Sequence, residues 1–306
     1  TGGIAALSRA LDRLGQNKRV LVIGAHPDDE DTELLAFLSR GLGADVAYLS
    51  LSRGEGGQNL IGPELGAALG LVRTGELLAA RSVDGARQYF TRGFDFGFSK
   101  TLGETLRFWP RDSLLADIVR IVRRFRPQIL VSVFSGTPRD GHGQHQESGV
   151  LAHAAFALLR DSAWGPRKLY RAARFDTAGT SITLASGALD PVTGRSYHQL
   201  AMAGRSLHRT QDMGQIQGLG ASVTRLALVE IAGTGAQAHG GTGVPAYQRT
   251  GAPTSSGGRD ELFAGVDTAL APGLARYAAL IDSARSTLTP RDPTRVLRFL
   301  TAAMAE

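Results

Sequence analysis

The chain has 306 residues, 42% of them hydrophobic and 20% charged, with a formal net charge of +6. This is the composition of a soluble globular protein with no apolar run of membrane-spanning length, and the absence of cysteine excludes disulfide frameworks, thiolate metal sites and cysteine nucleophiles. Only Lys18, Lys100 and Lys168 among the 34 basic residues are lysines and the arginines are scattered, so the positive charge reads as a solvated surface and not as a nucleic-acid footprint.

The predicted elements alternate from the start. Ile4, Leu7, Leu11 and Leu14 recur at helical spacing before Gly15, so residues 4–14 read as an amphipathic helix. Residues 20–24 form a continuous apolar run that suits a strand buried on both faces. A helix over 29–42, closed by Gly43, and a strand over 45–51 follow. Helices are expected from about 64 to 85 and over 111–125, then Pro127, a strand over 129–134 and a helix over 145–160. Later strands are expected over 168–175, 181–184 and 225–231, with a helix over 197–211 between the last two. Residues 233–258 are rich in Gly, Thr, Ser, Ala and Pro and read as a surface loop, and 259–306 as a helical segment.

This order implies one Rossmann-like α/β domain over 1–306. Its core, about 18–232, is a mostly parallel sheet with helices on both faces, followed by an irregular C-terminal region. Parallel sheets bind ligands beyond the carboxyl ends of their strands. Two such ends carry chemistry. After the first strand come His26, Pro27, Asp28, Asp29 and Glu30; after the strand over 129–134 comes PRDGHGQHQESG, with His142 and His145 three residues apart. His26 and Asp29 share that three-residue spacing, so their side chains can meet on one side of a turn. If both loops crown neighbouring strands, two imidazoles and a carboxylate converge on one divalent ion and leave open positions, as catalytic zinc sites require; non-haem Fe(II) accepts the same arrangement. Asp28 is then spare to take a proton from water, and His142 to serve as an acid. Alone, each half has a plainer reading: a hydrogen-bonding histidine at a strand end, or an aspartate capping a helix. The charged cluster also occupies the place of a glycine-rich dinucleotide turn, which excludes that reading.

GAHPDDE resembles the signature of the PIG-L/LmbE-like de-N-acetylases, metal-dependent hydrolases that remove acetyl groups from N-acetylglucosamine-containing molecules. His142-Gly-Gln-His145 resembles the family's second motif, and the similarity extends over 18 to about 230, including SRGEGG at 52–57 and HRTQ at 208–211. The resemblance implies that His26, Asp29 and His145 hold the metal, zinc or another divalent ion such as Fe(II). It makes Asp28 the general base and His142 the residue that steadies or protonates the transition state. Arg53 and Glu55 would contact the substrate; as a plainer reading they form an exposed ion pair. One departure stands out: the family often has an aspartate just before the last histidine, where this chain has Gln144, so that orienting role must pass to Asp140 or be lost.

The implied activity is removal of an N-acetyl group from an amino sugar, glycan or glycoconjugate. A metal-dependent amidase acting on acylated peptides or antibiotics, and a non-catalytic glycan-binding module, are the alternatives. The chain begins at Thr1 without an initiator methionine, which suits an exported protein acting on extracellular glycan, beside a cytoplasmic alternative acting on a soluble amino-sugar metabolite. His208 is expected in a buried structural role and His239 on the surface.

Overall fold

The computed structural model describes residues 3–174, 177–212, 214, 216–233 and 261–306. The expected loop over 233–258 and His239 therefore fall almost wholly outside the described residues.

The chain opens with α1 (Gly3–Leu14), β1 (Arg19–Gly24), α2 (Thr32–Ala36) and β2 (Asp45–Ser50). α3 (Ala67–Asp84), β3 (Arg87–Phe90), α4 (Leu102–Thr105), α5 (Arg111–Phe125) and β4 (Ile129–Ser132) follow. Then come α6 (Gly143–Leu159), β5 (Lys168–Ala172), β6 (Ile182–Leu184), α7 (Tyr197–Arg205) and β7 (Thr224–Ile231), and the described chain ends with α8 (Ala275–Thr287) and α9 (Leu297–Ala303). The strands form one sheet in the order β3-β2-β1-β4-β5-β7-β6. The first five run parallel, while β7 pairs antiparallel with both β5 and β6.

Alternation along the central strands explains the layers. Val20 and Val22 of β1, with Val46 and Tyr48 of β2, pack against Leu34 and Leu38 on one face. Leu21 and Ile23, with Ala47 and Leu49, pack against Ile118, Val122 and Phe156 of α5 and α6 on the other. Both faces are covered, so these strands carry apolar residues without interruption. A small separate cluster of Leu11, Ala284 and Val296 joins α1 to the C-terminal helices.

Three local differences from the expected elements have physical reasons. The helix after β1 begins at Thr32, not at 29, and Asp31 is its cap, accepting a hydrogen bond from the Leu34 amide at 3.0 Å. Asp29 is unavailable for capping because its carboxylate binds amides behind it. The helix then widens into a π turn over Phe37–Gly41. β3 was hidden in the long segment between the second strand and residue 103, its four residues being too short for a periodic signal. No helix among the described residues is long and apolar enough to cross a membrane.

β1 is the pivot of the sheet. The connection through α2 carries the chain to β2 on one side, and β4 lies on the other, with α6 leading onward to β5. Chain order reverses between β1 and β4, which opens a crevice at their carboxyl ends. The two histidine loops meet there.

Candidate active site

Gly24 ends β1 because nothing larger fits: a Cβ there would stand 2.4 Å from the Tyr48 hydroxyl. That hydroxyl donates to the His26 carbonyl at 2.6 Å and locks the turn that follows. Asp29 closes the same turn from the other side. Its Oδ2 accepts the amides of Ala25 at 2.9 Å and His26 at 2.7 Å. The carboxylate also faces two imidazoles, with Oδ2 3.4 Å from His26 Nδ1 and Oδ1 3.2 Å from His145 Nε2.

Asp28 sits between them with φ at 146°, a region that residues with a side chain rarely occupy. Two arginines hold it there. Arg205 Nη1 donates to its carbonyl at 3.1 Å, and Arg73 Nη2 donates to the Pro27 carbonyl at 2.8 Å while standing 3.2 Å from Asp28 Oδ2. The Asp28 side chain keeps 19% of its surface open, so it is held but reachable.

The second loop is built around Asp140. Its carboxylate accepts the amides of Ser135, Gly136 and Thr137 and the Ser135 hydroxyl, at 2.7 to 3.0 Å. Those bonds use the side chain up. The Asp140 carbonyl, however, receives His145 Nδ1 at 3.1 Å, and the Phe134 ring stacks on that imidazole at 3.8 Å. With Nδ1 donating to the carbonyl, Nε2 keeps its lone pair and points at the Asp29 carboxylate. Two acceptors then face one another at 3.2 Å, which is stable only with a proton or a cation between them.

His142 occupies the cap position of α6 without capping it. Its ring lies 3.7 Å from that of His145 and 5.4 Å from that of His26, and its buried Nδ1 has no protein partner. Among the described residues, donor atoms of His26, His142 and His145 lie within 4.8 Å of one another. The donor set of imidazoles and a carboxylate, free of sulfur, suits zinc or Fe(II). The histidine cluster does not itself include Asp29, whose carboxylate contacts His26 and His145.

Burial drives the electrostatics here. Burial and the adjacent Asp29 charge push Asp28 up to about 6, against the pull of Arg73. Burial also acts upward on Asp29, but the charges and hydrogen bonds of His145 and His26 outweigh it and hold that carboxyl well below the usual range. His142 is pushed down to about 4 by burial first and by its His145 and His26 neighbours, so its imidazole is neutral at pH 7.

The other expected residues stand around this centre. Arg53 lies over the Phe90 ring at 4.0 Å and donates to Thr74 Oγ1 at 2.9 Å. Glu55 is buried and its Oε2 accepts the amides of Arg53 and Asp95 at 3.1 and 3.0 Å, so it braces two loops. Gln144 turns away from the imidazoles to donate to Asp95 Oδ1 at 3.0 Å. The Asp140 side chain does not take up the orienting role of the missing aspartate, since its oxygens are spent on backbone. Glu30 is fully buried, bonded to His208 Nε2 at 2.9 Å and Arg81 Nη2 at 3.2 Å; these partners overcome burial and hold it far below its ordinary value.

Asp95, Arg73, Arg205 and Tyr48 complete the surroundings of the centre from outside the two histidine motifs. A signal existed for Arg73: Leu69, Arg73 and Leu77 recur every fourth residue and all are buried, which marks an arginine pointing inward. A cleft of about 550 Å³ lined by Arg9, Gln16, Arg40 and Gly43 lies at the opposite, amino-terminal edge of the sheet. Volume alone would direct attention there, but the convergent titratable groups are at the carboxyl edge, and they decide.

Residues 21–156 match the family model described as GlcNAc-PI de-N-acetylase, PIG-L. A 1D-myo-inositol 2-acetamido-2-deoxy-alpha-D-glucopyranoside deacetylase from Thermobispora bispora is 32% identical over 182 residues, covering 52% of this chain and 60% of the relative. A protein of the same description from Streptomyces griseus is 33% identical, covering 48% and 51%. The chain thus spans less than two thirds of these relatives. Among solved structures, the 4-carboxy-2-hydroxymuconate hydratase GalB from Pseudomonas putida shares the fold, with a TM-score of 0.51 and 17% identity over 70% of this chain and 96% of that one.

Proposed function

We propose that this chain, whose residues 21–156 match the PIG-L family model, is a zinc-dependent N-deacetylase acting on an N-acetylglucosamine-containing conjugate. The observation that carries the reading is the pair of acceptors, Asp29 Oδ1 and His145 Nε2, facing each other beside a strained and reachable Asp28. Relatives that share the segment are described as deacetylases of a 2-acetamido-2-deoxy-glucopyranoside.

His26, Asp29 and His145 would hold the ion, which supplies Lewis acidity toward the amide carbonyl and toward water. Asp28 accepts the proton of the attacking water. Its position is fixed by Arg73 and Arg205, so little reorganisation accompanies the transfer. Burial raises this carboxyl only to about 6 in the metal-free protein, so it is ionised at pH 7 and can accept a proton. His142, neutral at that pH, donates a hydrogen bond to the charge developing on the carbonyl oxygen. The proton collected by Asp28 then passes to the leaving nitrogen, and acetate and a free amine remain.

Acetate release, measured on a panel of N-acetylated glucosides and acylated peptides, tests the reading. Turnover of the glucosides with none of the peptides supports it. The reverse preference would make the chain an amidase, and release from neither would remove the catalytic reading.

A further inference from the structure

Phe98 is a large apolar side chain with 74% of its surface exposed, yet its ring stands 5.4 Å from that of His142. Scattered exposed apolar residues need no explanation. This one differs because the chain on either side of it is fixed. Gly97, at a φ of 98°, donates its amide to Asp95 Oδ1 at 2.9 Å. On the other side Ser99 is fully buried; its hydroxyl meets that of Thr105 at 2.7 Å, and its carbonyl accepts the Gly143 amide at 3.0 Å. Gly143 is where α6 begins, one residue after His142. A Cβ at Gly143 would stand 2.1 Å from the Thr101 carbonyl, so the Phe98 segment is pressed directly onto the turn that carries His142. The fold therefore presents an uncovered aromatic side chain on an anchored backbone at the rim of the candidate site.

We infer that Phe98 is a specificity-determining platform on which the pyranose ring bearing the acetamido group stacks through its C–H face. The inference rests on the proposed deacetylase reading. An acetamido carbonyl beside His142 leaves its sugar ring within reach of a group whose centroid is 5.4 Å from that imidazole. A pyranose offers an apolar face of C–H groups with hydroxyls around its edge, and an aromatic ring matches that face without hydrogen-bonding demands. The backbone that carries the ring is already held by its flanks, so little backbone ordering accompanies binding. An acyclic amide gains nothing from it.

The test uses the metal-free chain as well as the zinc-loaded one. Saturation-transfer NMR with N-acetylglucosamine should show the sugar-ring protons contacting the wild-type protein. Phe98→Ala should weaken binding about tenfold and lose the ring-proton contacts while keeping those of the acetyl methyl. Phe98→Tyr should keep both, and Phe98→Leu should behave like the alanine variant. N-Ethylacetamide, which has the same amide and no ring, should bind all four proteins alike. In the zinc-loaded series the loss should appear in KM for the sugar, with kcat little changed. Unchanged sugar binding in Phe98→Ala overturns the inference, as does full retention in Phe98→Leu, since a generic apolar cover would then suffice. Failure of the deacetylase reading is distinguishable: ring-proton contacts that depend on Phe98 would persist in a protein that releases no acetate.

Discussion

His145 Nε2 and Asp29 Oδ1 face one another at 3.2 Å while the other nitrogen of His145 is committed to the carbonyl of Asp140. A lone pair pointing at a carboxylate is repulsive unless something positive lies between them. Protein purified without chelator is therefore expected to carry about one equivalent of a divalent ion per chain, zinc in preference to Fe(II). His145→Ala should lose most of it and His142→Ala should keep it, as measured by elemental analysis. Equal loss from both would make His142 a ligand, which its position in the histidine cluster also permits.

Asp28 gives a prediction with opposite signs for activity and stability. Its folded-state pKa, raised by burial to about 6, lies above the unfolded value, so ionising it opposes folding. That penalty is absent below about pH 4 and complete above about pH 6. In the metal-free protein Asp28→Asn should gain up to about 3 kcal/mol at pH 8, the pull of Arg73 being already contained in the raised value, and the gain should vanish as the pH falls toward 4. Denaturant titrations at the two pH values measure it. The zinc-loaded variant should retain its metal and lose a factor of about 10² to 10⁴ in rate, with the acidic limb of the wild-type profile gone. A bound dication lowers that limb below the metal-free value of about 6.

The contact beneath the turn can be tested by paired substitution. Gly24→Ala places a methyl group 2.4 Å from the Tyr48 hydroxyl and should destabilise by about 1 to 3 kcal/mol. Tyr48→Phe removes that oxygen together with its bond to the His26 carbonyl. If the clash is the cause, the double variant loses less than the sum of the single changes. Strict additivity in thermal or denaturant unfolding would point to backbone conformation instead.

Glu30 should matter to stability more than to chemistry. It is fully buried between Arg81 and His208, and Arg81 continues to Asp84 at 2.7 Å. Glu30→Ala leaves an arginine partly unpaired in the interior and should cost about 3 to 5 kcal/mol in unfolding free energy. Metal content of the folded fraction should be unchanged. Loss of metal without loss of stability would assign Glu30 to the centre and not to its support.

The central sheet and the histidine motifs were legible because their causes are local. A strand buried on both faces is expected to be apolar along its length, and residues 20–24 and 129–131 are. His26 with Asp29, and His142 with His145, are spaced so that a single turn brings each pair together. The start of α2 was misjudged because Asp29 spends its carboxylate on amides behind it, which composition does not reveal. Asp95 and Arg205 were invisible for a different reason. Each acts on residues far away in sequence, Asp95 on Gln144 and Arg205 on Asp28, and neither contact leaves a periodic trace. The antiparallel pairing of β6 and β7 at the sheet edge was equally unreadable, since strand direction depends on connections and not on side-chain pattern.

The most direct measurement is acetate release from the panel of N-acetylglucosamine-containing conjugates, followed before and after chelation and again after one equivalent of zinc is restored. The zinc-loaded chain should yield acetate and free amine in equal amounts, the chelated chain neither, and adding zinc back should restore release. Release that is indifferent to the chelator, or none from a fully zinc-loaded chain, would contradict zinc-dependent deacetylation.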